Sequence, residues 1–268
     1  MYHAREKELS REVAIHILPP GLIGENPGID KKFKEEIVPI AQLGNENIAT
    51  LLDFGVRGPY IYYTTEWVQG TTLSALVKRD KKLSVVKSLL IARDVARGLA
   101  HAHRKRVVHG DIDPDNVVVS GERIVITDFG PSKVIAEITS DGMTSIELAG
   151  NFEFAAPEQC KGDPATPATD IYSLGVLMYF MLAGRVPFTA ENPYALIQAH
   201  VEKAPDPLGK SRKDVPAQVE RVMLRMLAKD PARRFGTMEE VISEMEGCVR
   251  DLELLKVATT QADADAEW

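Results

Sequence analysis

The sequence predicts an α+β fold in which strands come first and helices follow. Three observations carry this. Runs rich in β-branched and aromatic residues, at 13–18, 47–55 and 60–68, fall in the first part of the chain. A long amphipathic stretch, 83–104, and an apolar run, 171–183, fall later and read as helices. Between them, 107–130 holds two short β-branched runs around Ser120-Gly121-Glu122-Arg123, which is a hairpin signal.

Composition bounds the class. The chain has 268 residues, 44% hydrophobic and 26% charged, enough to bury a core as one two-lobed unit. A net charge of −7 argues against nucleic acid or an anionic membrane as the main partner. Cys160 and Cys248 lie far apart and fit neither a metal site nor a disulfide framework, so a reducing, cytoplasmic setting is expected. The longest apolar run, 171–183, contains Ser173 and Gly175 and is too short to span a bilayer. No leader peptide is read at Met1.

Taken in order, residues 1–18 alternate around a polar turn at 5–12, so two strands are expected, the second at 13–18. Residues 30–43 have a helical pattern with Asp30 as N-cap. Pro39 lies inside it and removes a hydrogen bond at a cost of about 3 kcal/mol or more, so a kink or break near Glu36 is expected. Residues 47–55 and 60–68 read as two more strands. On the helix at 83–104, Leu89, Leu90, Ala92, Val95, Leu99 and Ala102 form one stripe. His101 and His103 are two apart on that helix and face different ways; they read as surface or packing histidines, not a metal pair. Residues 256–268 form an acidic tail expected to be disordered.

The chemistry gathers at the hairpin. Folded about Gly121 and Glu122, it sets Asn116 opposite Thr127 and Asp128, with Asp111 one short polar loop upstream. One such Asp or Asn would ordinarily be a turn former or cap. Three oxygen-bearing side chains at one end of a rigid element instead suit Mg²⁺ held against phosphate oxygens, with one carboxylate free to take a proton.

His109-x-Asp111-x₄-Asn116 resembles the catalytic loop of protein kinases, and Asp128-Phe129-Gly130 resembles their metal-binding motif. The resemblance covers nearly the whole chain. Ala156-Pro157-Glu158-Gln159, Asp170-Ile171-Tyr172-Ser173-Leu174-Gly175 and Asp230-Pro231-Ala232-Arg233-Arg234 follow in the family's order and look most like bacterial Ser/Thr kinases. It implies a bilobal kinase-like fold. Residues 1–68 would form a small N-lobe, an antiparallel sheet plus one helix, and 69–255 the hinge and a larger, mostly helical C-lobe. The family's glycine-rich loop and first strand precede the position of Met1, and this chain holds neither; a native start and a longer parent chain both remain open. ATP and Mg²⁺ are the implied cofactors if the nucleotide site functions, and a protein substrate or partner is implied. Asp111 would be the base, and Asn116 and Asp128 the metal ligands. Ala14, His16, Glu36, Thr65, Glu66, Val68 and Val118 would line the nucleotide site. In that set Thr65 is the gatekeeper, Glu66 and Val68 belong to the hinge at 66–70, and Glu36 is the helix glutamate. Glu158 would pair with Arg234, and the loop holding Thr139, Ser140, Thr144 and Ser145 resembles an activation segment.

Departures from the family pattern fall on its positive charges. His16 stands where the Val-Ala-Ile-Lys strand carries lysine, and Asp113 where Ser/Thr kinases carry a second lysine near the transferred phosphate. Asn151 replaces a threonine that contacts that lysine. Gly110 replaces an arginine that receives a loop phosphate, which implies no activation by loop phosphorylation. The pattern points first to a pseudokinase acting by binding or regulation. An active, atypical Ser/Thr kinase is the alternative. A small-molecule phosphotransferase is a third reading, which the Ala-Pro-Glu segment opposes.

Overall fold

Tyr2–Arg5 (β1) and Glu12–Ile17 (β2) pair antiparallel, and with Leu51–Arg57 (β3) and Tyr60–Glu66 (β4) they build a sheet in the order β1-β2-β4-β3. The computed structural model describes residues 1–18, 28–58, 60–129, 152–210 and 212–266. In the β2–β4 register Ala14 faces Thr65 and His16 faces Tyr63, so side-chain alternation puts all four on one face of the sheet.

Ile29–Ala41 (α1) packs Phe33, Ile37 and Ile40 against that sheet, with Phe33 tilted over Phe54 and Tyr63. Two local expectations are corrected here. Gly28, at φ 89°, takes the cap position in place of Asp30. The helix also runs unbroken past Glu36 and through Pro39. Pro39 lies in the last turn, where the chain is about to leave the helix, so one lost bond does not break what precedes it.

Thr71–Thr72 (β5), Val117–Ser120 (β6) and Arg123–Ile126 (β7) form a second small sheet, with β6 and β7 joined by the expected two-residue turn. Gly121 supplies its positive φ of 63°. Leu73–Asp80 (α2) and Val85–Arg104 (α3) follow β5, capped by the Thr72 and Ser84 hydroxyls. Pro157–Cys160 (α4) leads to Pro167–Ala183 (α5), buried along nearly its whole length at the centre of the larger lobe. A Cβ on Gly175 would stand 2.9 Å from Met226 Cβ, which explains glycine there. Pro193–Glu202 (α6), Ala217–Met226 (α7) and Met238–Ala266 (α8) complete the lobe, and α3 lies against α5 and α8. The last helix continues through Ala266, into the stretch expected to be disordered. Cys160 and Cys248 are free thiols. Among the described residues no helix is long and apolar enough to cross a membrane.

Candidate active site

Asp170, fully buried near the start of α5, anchors the loop that carries Asp111. Its carboxylate accepts the backbone N–H of His109 at 3.0 Å and of Gly110 at 2.8 Å. His103 Nε2 lies 2.7 Å from the same carboxylate, so this histidine braces the loop from α3. The His109 ring accepts from Asp111 N–H through Nδ1 at 3.2 Å and reaches the Thr127 carbonyl through Nε2 at 3.3 Å; a proton on Nε2 satisfies both. Its edge meets Phe129, with ring centroids 4.5 Å apart. Gln159 donates to the Gly110 carbonyl at 2.7 Å and accepts from Ala156 N–H, tying the Ala-Pro-Glu segment to the loop. Gly110 sits at φ 72°, and a Cβ there would be 3.2 Å from Ala165 Cβ, so the arginine of the family pattern would be strained.

The hairpin sets the metal side of the site. Thr127 N–H donates to the Asn116 carbonyl at 2.8 Å, which places Asn116 opposite Thr127 and beside Asp128. Asn116 Nδ2 donates to the Asp111 carbonyl at 3.2 Å. Asp128 adopts φ 59°, a left-handed conformation that Asp tolerates better than most residues. Asp111 is exposed, yet its carboxyl is pushed up, first by desolvation; His109 opposes this, and the Asp128 and Asp170 carboxylates add to it. Asn116 and Asp128 offer the hard oxygen donors that Mg²⁺ takes and would hold it; the ion would supply positive charge to offset that of a phosphate group.

The small-lobe wall is different. His16 Nδ1 lies 3.2 Å from Asp128 Oδ1, and the Tyr63 hydroxyl donates to that same oxygen. The two rings stack at 4.3 Å and 8°. Burial lowers the pKa of His16, and this outweighs the opposing Asp128 carboxylate. Its Nε2 is buried without a partner. The acidic group beside His16 is Asp128, and desolvation prevails over its pull because the ring is only 7% exposed. Glu36 is half-buried on α1. Burial, with the Asp128 and Asp111 carboxylates, pushes the Tyr63 phenol well above its usual range, so it remains a donor. Tyr63 was not singled out from the sequence. The period-two alternation that sets it beside Thr65, across from His16, was the available signal.

Across the β2–β4 pair, Ala14 and Thr65 face each other, both buried. Glu66 is pinned: its N–H donates to the Thr50 carbonyl at 2.9 Å, and its carboxylate accepts Thr50 N–H and pairs with Arg123 at 3.0 Å. Val68 follows β4 and is half-buried. A Cβ on Gly70 would stand 2.5 Å from the Val119 carbonyl and 2.7 Å from Val118, so Val118 packs directly against the backbone at Gly70.

Asp113 is only 7% exposed, and its carboxylate accepts Asp115 N–H at 2.7 Å. Burial, first, pushes its carboxyl up to about 6; the Asp115 N–H opposes, while Asp115, Asp111 and Glu153 add to the rise. A folded-state pKa above the ordinary 3.8 means that Asp113 favours folding below about pH 4 and that this contribution is lost as pH rises through 6. Asp113→Asn keeps the bond to Asp115, so it is expected to raise Tm at pH 8 and leave it nearly unchanged below about pH 4. A thermal-unfolding series in pH checks this; an equal effect at both ends contradicts it.

In the larger lobe, Arg234 holds Glu158 with two bonds of 2.7 and 2.8 Å, and Thr169 donates to the same carboxylate at 3.0 Å. Residues Gly130, Thr139, Ser140, Thr144, Ser145 and Asn151 lie outside the described residues.

Two lobes, with Ala14, His16 and Thr65 on one face of the small-lobe sheet and Asp111, Asn116 and Asp128 gathered beside the β6–β7 hairpin, define a kinase-like fold. Comparison with known sequences agrees: the Protein kinase domain family matches residues 1–245, and the chain belongs to that family. Among curated relatives, a probable serine/threonine-protein kinase of Clostridium acetobutylicum is 33% identical over 246 residues, spanning 91% of this chain and 37% of the relative. The serine/threonine-protein kinase PrkC of Bacillus subtilis is 31% identical over 247 residues, covering 92% of this chain and 38% of its own length. The chain thus spans little more than a third of the curated relatives it matches. The crystal structure of the Mycobacterium tuberculosis PknI kinase domain, solved as a cysteine-to-alanine mutant, is similar with a TM-score of 0.69 at 25% identity, over 92% of this chain and 88% of that one.

Proposed function

We propose that this domain is a pseudokinase: a cytoplasmic protein-kinase-like module that acts by binding or regulating protein partners and transfers phosphate weakly or not at all. One observation carries the reading. At the strand position facing Asp128 stands a buried histidine whose charged form burial disfavours. Phosphoryl transfer rests on positioning and on stabilising charge spread over the phosphate oxygens. A neutral His16 contributes little of that stabilisation, and Asp113 adds negative charge once ionised.

An active but atypical ATP- and Mg²⁺-dependent Ser/Thr kinase is the second reading, favoured by Asp111, Asn116 and Asp128 standing together. ATP and Mg²⁺ would then use Asn116 and Asp128, with Ala14, Thr65, Glu66, Val68 and Val118 around the base. Turnover of the intact chain with ATP, Mg²⁺ and a generic protein substrate separates the two.

A further inference from the structure

Asp128 already has two protein partners. The Tyr63 hydroxyl and His16 Nδ1, the latter at 3.2 Å, converge on its Oδ1 from the strand pair β2–β4. Neither ring is free to swing away: they stack on each other at 4.3 Å, both are buried, and Phe33 of α1 lies behind Tyr63. A divalent cation beside Asn116 would draw on the charge of the same carboxylate. It therefore competes for that charge with a hydrogen bond from a buried phenol to a charged, partly exposed acceptor, among the stronger hydrogen bonds a protein makes.

We propose that Tyr63 sets the metal affinity of this site, competing with a divalent cation for Asp128, so that nucleotide binds with little dependence on Mg²⁺. This rests on the reading of the cleft as a nucleotide site. It is separate from the question of turnover, because it is read in binding alone.

The test is calorimetric titration of the intact chain with ATP, once in EDTA and once in excess Mg²⁺, for the wild type and Tyr63→Phe. The phenylalanine keeps the ring stack and removes only the hydroxyl. The wild type is expected to change its ATP affinity less than about threefold between the two buffers. Tyr63→Phe should gain roughly tenfold or more in Mg²⁺ and nothing in EDTA, the worth of one hydrogen bond to a charged group. Tyr63→Leu, which removes ring and hydroxyl together, should show the same Mg²⁺ gain if the phenylalanine variant unfolds. A wild type that already gains tenfold with Mg²⁺, or variants whose Mg²⁺ dependence matches the wild type, would overturn the proposal. Absence of ATP binding by every protein in both buffers would overturn it as well, since releasing Asp128 would then have restored nothing.

Discussion

The double substitution His16→Lys with Asp113→Lys is expected to raise phosphate transfer roughly 100-fold or more over the wild type at saturating ATP and Mg²⁺. One charge pair at 4 Å is worth about 4 kcal/mol at an effective dielectric of 20, and reversing a charge approaches twice that. Each ~1.4 kcal/mol is tenfold in rate. The expected gain is set well below the full product because longer distances and water in an open cleft weaken each term. Asp113→Lys alone should give a smaller rise, since it removes a carboxylate that repels phosphate yet leaves His16 uncharged. Radiolabel transfer to a generic protein substrate measures this, with thermal unfolding as the control that both lysines are tolerated. A gain below about tenfold in a folded double variant would mean that missing positive charge is not what limits the site.

Arg234→Ala should cost about 3–5 kcal/mol of stability, because it strands the Glu158 carboxylate in the interior of the larger lobe. Arg234 is fully buried, and besides both Glu158 oxygens it serves the carbonyls of Ala168, Ala228 and Lys229. For a chain of this size that corresponds to a fall in Tm of around 10 °C. The pH dependence has a definite sign. Burial opposes ionisation of Glu158, but Arg234 and Thr169 outweigh it and hold the carboxyl below its usual 4.5. The stability of the pair is thus present above pH 4.5 and lost as pH falls through the folded-state value. The deficit of Arg234→Ala should shrink on acidification, as a protonated Glu158 ceases to be an unpaired charge. A deficit that stays constant down to about pH 3 would assign the loss to packing instead.

Short-range pattern made much of this molecule legible. β-branched runs on either side of Gly121 specify the β6–β7 hairpin, and its two-residue turn fixes the register that brings Asn116 to Thr127. The apolar stripe of α3 reads directly as its buried face. What the sequence hides are contacts between distant segments. His103 and Asp170 are 67 residues apart, and a histidine on a helix carries no local mark of the carboxylate it meets. Tyr63 and Asp128 are 65 apart, and an aromatic residue inside a strand reads as ordinary core. Pro39 misled for the opposite reason: the local rule is sound for a helix interior, but the cost falls where the helix is ending. For Asp113 the identity is plain in the sequence, while the burial that sets its charge state belongs to the fold.

The most direct test of the account is the turnover of the unmodified chain with ATP, Mg²⁺ and a protein substrate. Protein kinases turn over at about 1–100 per second. A site whose wall offers a buried neutral histidine and a buried carboxylate should fall below about 0.01 per second. A rate of about 1 per second or more, abolished by Asp111→Asn, would contradict it and make the domain an active kinase working without those two lysines.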